Sequence, residues 1–390
     1  MTLSLVSSLA TAHSSCATDG TFPTATVAGG VVIGTTTTYP SAYINKYLGI
    51  PFAKSPPVRF SPPQKPLPWS SPLNATKFKP ACIQQFISIV YPFINDDFRA
   101  IFDNPPLPES EDCLYLNVFA PTGTAVDSGK PVMLWIHGGS LQLGSASVPE
   151  YDGSVLTVQQ DIIVVTTNYR TNVFGFPTSP QLAPEERNLG FMDQRQALAW
   201  VSQNIRAFGG DPSKVTIFGE SAGAYSVKQI LANLPRPLQF RGAIMQSQAL
   251  GDQGDGDKSW SALADALGCG LTTSQLDLGD GIHTHTVADV PLLIGTNADE
   301  GSILTSVMPD SQTLLEEIFG NDTRSQALAR AIYPRNATEN ELKSRIVTDY
   351  LYTCLTSTIA STLNGAGLKV WRYFFNASFP NNRPFPRVGA

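Results

Sequence analysis

Val215-Thr216-Ile217-Phe218-Gly219-Glu220-Ser221-Ala222-Gly223 joins a short apolar run to a pentad of the form Gly-x-Ser-x-Gly. The run has the β-branched and aromatic character of a buried strand, and the small residues after it predict a sharp turn into a helix extending from Ala222 toward Leu231. A backbone bent this tightly accepts little bulk, which accounts for Gly219, Ala222 and Gly223, and its strain lifts the Ser221 hydroxyl clear of the sheet as a nucleophile. Chance alone would produce such a pentad in roughly one chain in ten of this size, so the assignment rests on its surroundings.

Upstream, Pro131 to Ile136 is a second apolar strand and runs into His137-Gly138-Gly139-Ser140, with Gly144 beyond. A glycine-rich turn after a strand can aim N–H groups at a developing oxyanion. Downstream, Val290-Pro291-Leu292-Leu293-Ile294-Gly295 has a buried-strand pattern and ends in Thr296-Asn297-Ala298-Asp299-Glu300-Gly301, placing a carboxylate at a strand's carboxyl edge. Serine before acid is the hydrolase chain order. Further strands are expected at Val31-Val32-Ile33, Tyr47 to Phe52, Leu114 to Phe119, Ile162 to Thr167 and Gly242 to Gln246. Between them, Gly190 to Arg206 has an apolar face of Phe191, Ala197, Leu198, Val201 and Ile205. This alternation predicts an α/β fold with a mostly parallel central sheet, helices on both faces and right-handed crossovers. Leu314 to Tyr352 forms a run of helices with polar turns, expected to cap the substrate cleft. Lys54 to Pro80 is a proline-rich surface loop with Trp69 and Phe78 as apolar anchors.

Gly49-Ile50-Pro51-Phe52-Ala53, Glu111-Asp112-Cys113-Leu114-Tyr115-Leu116-Asn117-Val118, Asn168-Tyr169-Arg170, Asn188 to Arg195 and Phe208-Gly209-Gly210-Asp211-Pro212 resemble the signatures of the type-B carboxylesterase and cholinesterase-like family. The resemblance implies an α/β-hydrolase fold and a carboxylic-ester hydrolase that works by serine acylation, without metal or organic cofactor. It makes Ser221 the nucleophile and Glu300 the acid, and it assigns the oxyanion hole to the N–H groups of Gly139, Ser140 and Ala222. It also pairs Cys82 with Cys113, a closure worth about 3 to 4 kcal/mol.

Two departures accompany the resemblance. The four histidines are His13, His137, His283 and His285, while Trp371 to Pro380 resembles the segment just before the family's catalytic histidine; that base would fall beyond Ala390. Between Cys269 and Val290 the family has a longer helical segment and a partner cysteine. An incomplete gene model, a splice variant and a degenerate paralogue all fit. Serine without a base is a weak nucleophile, so only trace esterase activity is expected of the chain as written, and a non-catalytic binding or adhesion module is the alternative.

Other residues receive structural readings. His137 is expected to bond a loop carbonyl, and His283 and His285 to lie in a solvated loop; no HExxH or paired CxxC supports a metal site. Glu220 is expected to be a buried carboxylate bonded to backbone or arginine and directed away from the nucleophile. Asp299 is an alternative acid to Glu300, Ser247 is structural, and the Cβ of Ser140 narrows the conformations open to a position where the family often has glycine.

Composition agrees with a globular catalyst. The 390 residues carry a net charge of −6 without a Lys/Arg block, which argues against nucleic acid as a partner. No apolar run reaches the roughly 18 to 20 residues of a membrane helix. Residues 25–390 are expected to form a single, incomplete hydrolase domain, and residues 1–12 a signal peptide ending at Ala10-Thr11-Ala12. Secretion agrees with sequons at Asn74, Asn321, Asn336 and Asn376. Five cysteines leave Cys16, Cys269 and Cys354 without assigned partners. Short aliphatic, lipid, aromatic and choline-like esters all remain open as substrates, and so does the oligomeric state.

Overall fold

The computed structural model describes residues 22–39, 42–86, 99, 102, 103, 105–179, 182, 183, 186–248, 290–304 and 309–376. The expected leader, His13, His283, His285, Cys16 and Cys269 lie outside the described residues.

Twelve strands occur in chain order among them: β1 (Thr24–Val27), β2 (Gly30–Ile33), β3 (Thr35–Tyr39), β4 (Ala42–Pro51), β5 (Leu73–Asn74), β6 (Tyr115–Pro121), β7 (Lys130–Ile136), β8 (Ile163–Thr167), β9 (Gly210–Glu220), β10 (Gly242–Gln246), β11 (Leu292–Asn297) and β12 (Val370–Phe375). β1, β2 and β5 form a small sheet, and the other nine form the main sheet in the order β12-β11-β10-β9-β7-β8-β6-β4-β3. Pairings from β3 through β8 by way of β4 and β6 are antiparallel. From β8 onward to β12 every pairing is parallel.

Alternation along the strands builds a core on each face of the main sheet, because successive side chains point to opposite sides. Val132, Leu134 and Ile136 of β7 join Val215 and Ile217 of β9 in the larger core. Two helices cover that face: α2 (Leu189–Asn204) through Ala197, Leu198 and Val201, and α3 (Ala222–Ala232) through Val227, Ile230 and Leu231. Opposite lie Met133, Phe119 and Val164, a smaller cluster beneath α1 (Ser154–Gln160). There Gly153 has no room for a side chain, since a β-carbon would stand 2.7 Å from Val164 Cβ and 2.9 Å from Phe119 Cδ2. Helices therefore flank both faces.

The capping run resolves into α4 (Ser311–Phe319), α5 (Thr323–Ile332) and α6 (Glu339–Val347), followed by a π-helical turn over Thr348–Thr353 and by α7 (Cys354–Gly365). Asp310 and Asp322 cap α4 and α5, and Thr338 with Glu341 closes a capping box on α6. Leu314, Leu315, Leu342, Ile346 and Val347 give this region its own small core.

Two local expectations need correcting. The helix expected to reach Arg206 ends at Asn204, whose amide donates to the Trp200 carbonyl at 2.9 Å while its Oδ1 accepts from the Ala28 N–H at 2.8 Å; a 3₁₀ turn follows over Ile205–Phe208. Of the two anchors expected in the proline-rich segment, Trp69 is one, with its indole N–H on the Val31 carbonyl at 2.8 Å and its ring on the core; Phe78 is exposed.

Candidate active site

Ser221 stands at the junction of β9 and α3 with φ 53° and ψ −119°. A non-glycine residue held there carries strain of about 1 to 3 kcal/mol. The surrounding small residues make it possible: a β-carbon on Gly219 would stand 2.5 Å from the Gly223 carbonyl carbon, and one on Gly223 would collide with the Ile136 carbonyl oxygen. The Ser221 N–H donates to the Gln246 carbonyl at 2.9 Å and its carbonyl accepts the Tyr225 N–H at 3.0 Å, so the bend is fixed from both sides.

The turn after β7 lies over this serine. A β-carbon on Gly138 would be 3.3 Å from Ser221 Cβ, and Gly139, Ser140 and Leu141 all have positive φ, at 103°, 56° and 60°. The Gly139 carbonyl accepts from Gln142 at 2.9 Å and from Leu143 at 3.1 Å. Among the described residues, the N–H groups of Gly139 and Ser140 donate to nothing. The Ala222 N–H opens a helix, where no intrahelical acceptor exists.

Tyr169 holds this turn, a role its place in a three-residue block did not reveal. Fully buried, it donates its hydroxyl to the His137 carbonyl at 2.9 Å and stacks its ring on the imidazole with centroids 4.3 Å apart. His137 Nδ1 lies 2.8 Å from the Gly138 carbonyl, and burial pushes the imidazole down to about 4, so it is neutral at physiological pH. His137 is the one histidine among the described residues, and it is locked inside the turn.

Behind the turn, a disulfide joins Cys82 to Cys113. Asn168 ties it to the sheet, its amide donating to the Pro80 and Cys113 carbonyls, each at 3.0 Å. Arg170 and Asp193 form a buried bidentate pair, with Nη2 to Oδ1 at 2.7 Å and Nε to Oδ2 at 2.8 Å. Cys354 is free and exposed.

Glu300 opens a 3₁₀ turn just past β11, and its Oε1 accepts the Asn297 N–H at 2.7 Å. Asp299 is directed elsewhere, toward the hydroxyl of Ser344 on α6. Ser247 follows β10 at φ 52°, buried, with its N–H on the Gly295 carbonyl at 2.9 Å.

Glu220 departs from its expected place. It has no hydrogen-bond or arginine partner among the described residues, and its Oε2 lies toward the serine's side of the sheet, 2.7 Å from where a β-carbon on Gly138 would sit. Burial first, and then the charge of Glu300, push its carboxyl up to about 8. Alternation along β9 cannot place this side chain, because the backbone leaves strand geometry at the next residue.

Residues 21–283 match the model of the Carboxylesterase family. The chain belongs to the carboxylesterase family. It is 46% identical over 209 residues to acylcarnitine hydrolase of Mus musculus, a match covering 53% of this chain and 36% of that protein. Cocaine esterase of Oryctolagus cuniculus is 45% identical over 211 residues, 53% of this chain and 38% of that one. Carboxylesterase 1E of Mus musculus is 42% identical over 234 residues, 58% and 41%. The chain spans well under half the length of these carboxylesterase relatives. Its fold is that of an α/β-hydrolase. No helix among the described residues is long and apolar enough to cross a membrane.

Proposed function

We propose that this carboxylesterase-family chain is built to cleave carboxylic esters through a serine acyl-enzyme, with Ser221 as nucleophile, Glu300 as acid and the N–H groups of Gly139, Ser140 and Ala222 as oxyanion donors. One observation carries the reading: Ser221 is held at φ 53° beneath a turn in which, among the described residues, the Gly139 and Ser140 N–H groups have no acceptor. Two relatives are named as a hydrolase and an esterase.

The reaction needs a base between serine and acid. β9 and β11 are separated by β10 alone, so Ser221 and Glu300 leave two ladder spacings of about 4.8 Å each to be bridged. His137 is turned into the oxyanion loop and nearly always neutral, which supports a second reading, a non-catalytic member of the fold. A serine hydrolase lacking its histidine loses about 10⁶-fold in turnover. Turnover at Ser221 therefore rests on a base other than His137.

The wider reading is of a single hydrolase unit over residues 25–390 that enters the secretory route behind a leader at 1–12. Asn74, Asn321, Asn336 and Asn376 are exposed and open to N-glycosylation. The decisive experiment is fluorophosphonate labelling of the chain beside Ser221→Ala, with the modified peptide mapped by mass spectrometry. Attachment at residue 221 supports the hydrolase reading; labelling that survives in Ser221→Ala overturns it.

A further inference from the structure

The helical rod from Glu339 to Gly365 changes pitch once, at the π turn Thr348–Thr353. A π turn widens the helix and re-aims the side chains it carries, and such turns cluster at functional sites. This one is fastened to the acid turn. Thr348 Oγ1 accepts the Gly301 N–H at 2.8 Å, and Gly301 packs so tightly that a β-carbon would collide with the Ser344 carbonyl and stand 2.9 Å from Val347 Cβ.

Tyr352 follows Thr348 by four residues, about one turn of such a helix, and so shares its face. The charges that act on its hydroxyl are those of Glu300 and Glu220, the carboxylate after the acid strand and the one beside the nucleophile. Tyr373 feels the same two charges, but its hydroxyl is engaged by Gln246. The Tyr352 hydroxyl makes no hydrogen bond among the described residues. Burial and the two carboxylates push it up to about 12, so it keeps its proton at neutral pH.

In serine acyl transfer the oxyanion turn receives the carbonyl oxygen, and the acid's side of the serine is where the alcohol leaves. We propose that Tyr352 is the hydrogen-bond donor to the departing alkoxy oxygen, carried to the acid's side by the π turn. Ser221 Oγ bonds to the acyl carbon, the carbon–alkoxy bond breaks, and the alkoxide takes up the proton released from the serine. Tyr352 donates a hydrogen bond to that oxygen and retains its own proton. The role rests on the ester-hydrolase reading of Ser221.

The test measures phosphonylation of Ser221 in the full chain by two reagents that share one alkyl phosphonate and differ in leaving group, p-nitrophenoxide and the more basic phenoxide. A hydrogen bond to a charged oxygen is worth about 1.5 to 3 kcal/mol, tenfold or more in rate. Tyr352→Phe is expected to slow the phenoxide reagent about tenfold and the p-nitrophenoxide reagent less than about threefold. Tyr352→Leu, which also removes the ring, should show the same contrast, and thermal melts check that both variants fold. Equal effects on the two reagents, or none, overturn the role of Tyr352 while leaving the hydrolase reading in place. Failure of both reagents to modify residue 221 in the parent chain overturns both.

Discussion

Gly138 lies directly over Ser221, with room for a β-carbon only 3.3 Å from the serine's own. The same position is 2.7 Å from Glu220 Oε2 and 2.9 Å from the Glu220 carbonyl oxygen. Gly138→Ala must therefore push the turn that carries the proposed oxyanion donors off the elbow. Its stability cost should be that of modest overpacking, about 1 to 3 kcal/mol. The reaction should suffer more, since misplacing donors by a fraction of an ångström to 1 Å costs about a hundredfold. Phosphonylation kinetics beside urea unfolding will separate the two effects; a rate loss no larger than the stability loss would place the oxyanion donors elsewhere.

Two titratable groups near the serine give stability opposite pH slopes. His137 is depressed from 6.5 to about 4, so between those values the unfolded chain binds a proton that the folded chain refuses, and stability falls as pH drops through that window. The full effect is about 3 kcal/mol. Glu220 is raised from 4.5 to about 8, so the folded chain holds a proton the unfolded chain has released, and stability falls as pH rises from 4.5 to 8. Allowing for its partial exposure, this loss is on the order of 3 kcal/mol. Glu220→Gln should accordingly gain stability over the parent at pH 9 and little at pH 4.5. Chemical denaturation at the two pH values checks it; equal shifts at both would mean that Glu220 is ionised in the folded chain.

Arg170 and Asp193 offer a contrast with a surface pair. Both are buried, and Asp193 Oδ2 also accepts the Arg170 backbone N–H at 3.0 Å. Asp193→Asn strands a guanidinium away from water and should cost about 3 to 5 kcal/mol. Arg59 and Glu111 meet in a half-exposed bidentate pair, and Arg59→Ala should cost less than about 1 kcal/mol. Urea midpoints of the two variants should differ severalfold in their displacement from the parent; comparable displacements would refute the ranking.

The elements were legible wherever burial is uniform. Ile163–Thr167 sits within a residue of the apolar run that announces it, because a strand buried on both faces leaves a continuous signature. The elbow was legible because its geometry excludes side chains. What the sequence hid are contacts made across long separations by ordinary residues. Tyr169 supports a turn 32 residues earlier, Asn204 stops a helix by bonding Ala28, and the π turn that aims Tyr352 leaves no mark in composition. Glu220 was misplaced because periodicity fails at the bend, where the next residue already has positive φ.

The outer edge of the main sheet gives the last prediction. β12 pairs in parallel with β11, and among the described residues nothing pairs with its other side. Trp371, Phe374 and Phe375 are 54%, 60% and 46% exposed, with Arg372 as the strand's only charge, and Trp371 and Phe374 put apolar rings on opposite faces of an edge left open among the described residues. Sheets usually protect such edges with charge, proline or a covering element, because free N–H and C=O groups beside apolar side chains template the addition of another strand. The chain should therefore associate with itself at micromolar concentrations. A lysine at the most exposed of the three, Phe374→Lys, should suppress that association without loss of fold, since the ring contributes little buried area. Light scattering over a concentration series measures it. A parent whose mass does not change with concentration, or a variant that associates equally well, would show that this edge is protected some other way.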